Sequence, residues 1–175
     1  MAKQYFSNFP LIQYNGAVLR NIMLKSNIIK ELLLGQSLFY TYEVKDGEKP
    51  SMVAHNYYGS VDYAWLVMIS NQMIDPYFDW VLSDEEFQEF IVKKYGSITA
   101  AQTLVVEYAD SISDERYSLD TFNYVFSGDD FDGWLVPVYA YDKEFDLNEQ
   151  KRNIRLIDKT FSKQITLELE KSLRG

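Results

Sequence analysis

A chain of 175 residues with 47% apolar and 25% charged side chains has enough apolar mass for one hydrophobic core, or two small ones, and is not composed like a disordered segment. Its 17 basic and 26 acidic residues leave a net charge of −9 and a pI near 4.6, which repels a phosphate backbone and argues against sequence-independent nucleic-acid binding. The absence of cysteine excludes disulfides, thiolate nucleophiles and Cys-based zinc sites.

The opening "MAKQYFSNFP" lacks the long apolar core of a signal peptide, and no stretch approaches the roughly 20 apolar residues of a membrane span. The compositional outlier is aromatic content, with 14 Tyr, 11 Phe and 3 Trp. Tyr and Trp join apolar area to a polar handle, a combination suited to protein interfaces.

In chain order, "YFSNFPLIQYNGAVLRNIML" predicts extended pieces around a hairpin turn at Asn15-Gly16. "SNIIKELLLGQ" predicts a short helix capped by Ser26 and ended by Gly35. Leu38 to Lys45 alternates as a strand before an Asp46-Gly47 turn. Pro50 to Tyr58 reads as a helix closed by Gly59, and Val61 to Met73 as a second, largely buried helix. "SNQMIDPYFDW" follows as an aromatic loop that turns at Asp75-Pro76, with Ile74 and Trp80 folding back, Tyr77 and Phe78 at the apex, and a short returning strand at Trp80 to Leu82.

"SDEEFQEFIVKKYGS" carries the signs of a capped helix: Ser83 as N-cap, Glu86 completing a capping box, Phe87, Phe90 and Ile91 on one face, and Gly96 as terminator. Beyond Ile98 the pattern shortens into a strand in "QTLVVEYAD" and mixed aromatic β runs with acidic turns. The tail from Asn148 to Leu173 then predicts one helix with Ile154, Ile157, Phe161, Ile165 and Leu169 as its stripe.

Residues that could carry chemistry are few. His55 is the lone histidine, without a partnered nucleophile. "SGDDFDGW" has clustered acids, but an EF-hand register would need an acid where Gly128 stands and a bidentate Glu where Tyr139 stands. Glu85 and Glu86 are explained by the capping box, and Asp75 and Asp79 by the turn. The sequence therefore nominates no catalytic residue, no metal ligand and no cofactor.

"YTYEVKDGEKPSMVAHNYYGSVDYAWLVMISNQMIDPYFDW" resembles the gene-53 family of baseplate wedge subunits of contractile-tailed, T-even-like phages. The matching features are Asp46-Gly47, Pro50, Tyr58-Gly59, Trp65, Asn71 and Asp75-Pro76-Tyr77; "YFSNFPLIQYNG" and "NEQKRNIRLID" extend the likeness. Val81 stands where the family pattern commonly has Pro, and "SNQMID" is a looser form of its Asn run. The same spacing resembles the βααβ LysM module.

The resemblance implies an α+β protein with an N-terminal extended arm and short helix (1–37), a LysM-like module with its following helix (38–96), and a mixed β region with a C-terminal amphipathic helix (97–175). It implies a non-enzymatic structural subunit of the virion tail baseplate, assembled in the host cytoplasm, that joins wedge subunits and clamps adjacent wedges around the hub. Expected partners are those proteins, with no nucleic acid and no membrane. The alternative is LysM-type binding of peptidoglycan or N-acetylglucosamine polymers, with Trp65, Tyr77, Phe78 or Trp80 stacking on sugars. Candidate interface residues are Tyr57, Tyr58, Tyr77, Phe78 and Trp80 in the central unit and Ile154, Phe161 and Ile165 on the tail stripe.

Overall fold

A computed structural model describes residues 5–22, 39–125 and 134–174. The predicted helix "SNIIKELLLGQ" and most of the acidic segment "SGDDFDGW" lie outside them. The chain forms two compact units: 1–81 with 151–175, and 82–150.

In the first unit a 3-10 turn, Tyr5–Asn8, precedes the hairpin β1 (Leu11–Tyr14) and β2 (Ala17–Arg20). Asn15 (φ 49°) and Gly16 (φ 78°) supply the two left-handed positions that a tight hairpin turn needs. Strand β3 (Phe39–Glu43) leads through the Asp46-Gly47 turn into helix α1 (Pro50–Tyr58). Pro50 starts α1 where a missing N–H is harmless, and Gly59 ends it at φ 80°. A 3-10 turn, Val61–Tyr63, runs into α2 (Ala64–Ser70).

The predicted second helix stops short of Met73 because Gln72 takes φ 57°. Its N–H then bonds to the Ile69 carbonyl and the Met73 N–H to the Met68 carbonyl, closing the helix as a Schellman motif. A single turn, α3 (Pro76–Asp79), follows.

Two sequence expectations are corrected here. Trp80 to Leu82 is not a strand. The antiparallel partner of β3 is Asn153–Ile157, with Phe39 opposite Ile157 and Glu43 opposite Asn153. The predicted tail helix is therefore broken: Ala140–Gln150 is helical, Asn153–Ile157 is a strand, and helix resumes at Ser162–Arg174. Ile154 and Leu156 alternate into the core at strand period, and Ile157 is buried as well, so a β-branched run that also fits a helical stripe is claimed by the sheet.

The core of this unit joins Val44, Val53, Leu66, Val67, Trp80, Ile154, Leu156, Ile165 and Leu169, with Phe9 at the root of the hairpin. Ser70 at the end of α2 and Asn71, its C-cap, clasp the strand edge. Asn71 Oδ1 accepts from the Arg155 N–H at 2.7 Å while its Nδ2 donates to the Arg155 carbonyl at 2.9 Å, and Ser70 Oγ donates to the same carbonyl at 2.8 Å. An amide side chain here does what a neighbouring strand would do.

The second unit opens with α4 (Asp84–Tyr95). Ser83 Oγ accepts from the Glu86 N–H, and the Glu86 carboxylate accepts from the Ser83 N–H at 3.0 Å, so the predicted capping box is present. Next come α5 (Ile98–Thr103), β4 (Val105–Asp110), β5 (Arg116–Ser118), α6 (Leu119–Val125), β6 (Leu135–Tyr139) and α7 (Ala140–Gln150). β4 is the centre of an antiparallel sheet ordered β5-β4-β6. Phe87, Ile91, Ala101 and Ala140 form the local core. The first unit finishes with β7 (Asn153–Ile157), a 3-10 turn at Lys159–Phe161 and α8 (Ser162–Arg174).

Asn71→Ala should lower unfolding stability by about 1–3 kcal/mol, because the Arg155 amide loses its protein partner while the carbonyl keeps only the Ser70 hydroxyl. Denaturant melts of the full chain with unchanged m-value check it, and a loss below a few tenths would mean that the clasp contributes nothing net.

Candidate protein-contact site

The loop between α2 and α4 is built to be stiff. Asp75 caps α3, its Oδ1 accepting from the Tyr77 N–H at 2.9 Å. Asp79 reaches back over the same turn, its Oδ2 accepting from the N–H groups of Ile74 at 2.8 Å and Asp75 at 2.9 Å. These backbone amides hold the Asp79 carboxyl below its ordinary range, and the Lys151 ammonium adds to the effect. Lys151 Nζ also donates to the Phe78 carbonyl.

At the far end Trp80 is 3% exposed, and its indole N–H donates to the Glu48 carbonyl at 2.7 Å. Glu48 is itself buried; its carboxylate accepts from the Tyr42 hydroxyl, the Lys45 N–H and the Asn56 amide. The loop is thus nailed at Trp80 and laced at Asp75 and Asp79.

What this frame displays is apolar. Ile74 is 92% exposed, Tyr77 85% and Phe78 74%. Ile74 does not fold back on the helices, contrary to the sequence expectation. It joins Tyr77 and Phe78 because its N–H is bound by Asp79 and its side chain is left outside. Three large apolar groups on five consecutive residues, each free to touch a partner, form the apex.

The other predicted interface residues divide by burial. Trp80, Ile154 and Ile165 are core side chains of this chain, which corrects their placement on a surface. Tyr57 and Tyr58 are half-buried and meet edge-on at 4.8 Å; Tyr58 donates to the Ile157 carbonyl at 2.9 Å, and burial pushes its phenol well above the ordinary range. Tyr57 lines an open groove of ≈ 540 Å³ with Tyr40, Tyr42, Leu156 and Asp158. Phe161 stays partly exposed. Of the four rings considered for sugar stacking, Trp65 and Trp80 are buried. His55 lies exposed on α1.

Sequence reasoning missed Ile74, whose exposure depends on the Asp79 back-bond. It also missed that the hairpin strands stay exposed, although apolar residues on both sides of an Asn-Gly turn were the available signal. Among the described residues no group of three or more His, Asp or Glu side chains is arranged to hold a metal, and no helix is long and apolar enough to cross a membrane.

These features define a small α+β protein that exposes large apolar side chains on the apex loop and along the hairpin. The family model for base plate wedge protein 53 matches residues 2–123, a span that includes the hairpin and the apex loop. A curated relative, baseplate wedge protein gp53 of Enterobacteria phage T4, is 27% identical over 170 residues, covering 91% of this chain and 83% of the relative. The chain belongs to the base plate wedge protein 53 family, a family of structural components of the phage tail baseplate.

Tyr77→Ala and Phe78→Ala should each leave stability within about 0.5 kcal/mol of the parent, as exposed positions do, whereas Trp80→Ala should lose about 3–5 kcal/mol. Thermal melts separate the two classes, and a destabilised Phe78→Ala would put that ring in a core. For Asp79 the sign follows from its lowered pKa. The loop's hold is complete above the ordinary carboxylate value of 3.8 and is lost as pH falls through the depressed native value. Protection of the Ile74 and Asp75 amides, relative to their intrinsic exchange rates, should fall over that acid range, and Asp79→Asn should abolish this loss.

Proposed function

We propose that this protein is a non-enzymatic joint of the baseplate wedge, holding wedge subunits together and bracing adjacent wedges through protein contacts. The observation that carries the reading is the pre-ordered apex of Ile74, Tyr77 and Phe78, which lies within the span matched by the family model. Binding through residues already fixed by backbone hydrogen bonds spends little conformational entropy, so a small apolar patch can contribute a useful contact. Aromatic anchors at the centre of a patch are the usual carriers of interface energy. Several such contacts repeated through an assembly reinforce one another, while each stays weak enough to avoid premature association.

Sugar binding is disfavoured by the burial of Trp65 and Trp80, which leaves Tyr77 and Phe78 as the exposed rings of the stacking set.

The purified protein should co-elute with the other wedge subunits and show no retention on peptidoglycan or chitin oligomers. The double variant Tyr77→Ala/Phe78→Ala should weaken the association by about thirtyfold or more, with circular dichroism unchanged. Robust chitin binding, or full co-elution of the double variant, would sink the assignment of the apex.

A further inference from the structure

The hairpin β1–β2 is not used by the apex contact. A two-stranded sheet is marginal in water, and here every residue of both strands is exposed, including Leu11 (61%), Tyr14 (62%) and Val18 (60%). One face is wholly apolar, since Ile12, Tyr14, Ala17 and Leu19 point the same way. Folded proteins blunt such edges with a lysine, a proline or a bulge inside the strand. These strands contain none of the three, and their register runs unbroken from Leu11 opposite Arg20 to Tyr14 opposite Ala17. Arg20, their one charged side chain, is turned back onto the Ser7 and Phe9 carbonyls at 2.8 and 3.0 Å.

The register also says which edge is open. The pair next to a two-residue turn exchanges hydrogen bonds, and bonded pairs then alternate with unbonded ones. Tyr14 with Ala17 and Ile12 with Leu19 are therefore bonded pairs, and the Asn21 N–H to Pro10 carbonyl bond at 2.9 Å continues the alternation. The main-chain groups of Leu11 and Gln13 then point outward from β1, and among the described residues no further strand pairs with them. On β2 the Arg20 carbonyl already accepts from the Ile22 N–H.

Charge narrows the occupant. Residues 1–30 carry four basic and no acidic side chains, whereas residues 31–175 carry 13 basic and 26 acidic. Two copies associating through this segment would bring like-signed stretches together with no acidic side chain in either to offset them, which like-charge repulsion opposes. We propose that the outer edge of β1 accepts an extended segment of another baseplate protein as a third strand, with apolar residues at alternate positions and acidic residues beside them. Main-chain bonds to Leu11 and Gln13 would supply the register, and the face of Ile12 and Tyr14 the apolar contact. This rests on the reading that the protein works by contact with other baseplate components.

Gln13→Pro removes an outward N–H without breaking a bond inside the hairpin, and Val18→Pro imposes the same strain on the opposite edge. With the purified wedge subunits as the probe, Gln13→Pro should weaken co-elution at least about tenfold, the equivalent of one lost backbone bond, while Val18→Pro stays close to the parent. Residue-resolved hydrogen exchange of the full chain should show Leu11 and Gln13 gaining at least about tenfold protection in the complex, with smaller gains at the already bonded Ile12 and Tyr14. Equal losses from both prolines, or no gain at Leu11 and Gln13, would overturn strand addition. Self-association of the purified chain that gives the same protection would overturn the foreign occupant in favour of a second copy. A parent chain that fails to co-elute at all would overturn the proposed function, whereas co-elution that survives Gln13→Pro removes only this inference.

Discussion

The ladder between Phe39–Glu43 and Asn153–Ile157 is what the first unit is built on. Helices α1 and α2 are short, and neither would persist alone at nine and seven residues. They hold because Val53, Leu66 and Val67 pack in one core with the sheet residues Ile154, Leu156 and Ile157. Closing the sheet across the second unit is entropically cheap. Relative to a strand returning at Trp80, pairing with Asn153 lengthens the closed loop roughly threefold, an added cost of about 1 kcal/mol. Burying Ile154, Leu156 and Ile157 offsets that, at about 1.5–3 kcal/mol for each side chain.

Once that ladder exists, polar side chains finish the edges. Asn71 and Ser70 satisfy Arg155 on the outer side of β7. In the second unit Asn148 repeats the device, with its Oδ1 accepting from the Leu82 N–H at 2.8 Å and its Nδ2 donating to the Leu82 carbonyl at 3.1 Å. In both cases an amide, carrying donor and acceptor in a fixed plane, stands in for a missing peptide group. Glu48 plays a related part at the turn after β3, where Tyr42, Lys45 and Asn56 converge on its carboxylate and Trp80 on its carbonyl.

Structure and function meet where these ties release apolar groups rather than bury them. Trp80 is fixed inside, so the turn before it must face out. Asp75 and Asp79 then order that turn through its own backbone. Elsewhere in the unit, Phe9 in the core and Arg20 on the Ser7 and Phe9 carbonyls root a hairpin whose strand residues are all exposed. Both features present apolar area on a locally ordered scaffold, as a structural subunit of an assembly requires.

Short-range signals along the chain set the local pieces. Asn15-Gly16 set a hairpin because that pair tolerates positive φ; Pro50 and Gly59 bounded α1; Ser83 with Glu86 capped α4. The central residues around Asp75-Pro76-Tyr77 carried the family likeness. Each of these signals acts over a few positions. Tertiary structure alone decided the partner of β3, the break of the tail into strand and helix, and the fates of Ile74 and Trp80. Asn153–Ile157 fits helix and strand periods alike, so the choice fell to β3, 110 positions upstream of Asn153 at Glu43. Ile74 and Trp80 are similar in hydrophobicity and close in sequence, yet a carboxylate bond to the backbone keeps one out and a long-range indole bond draws the other in.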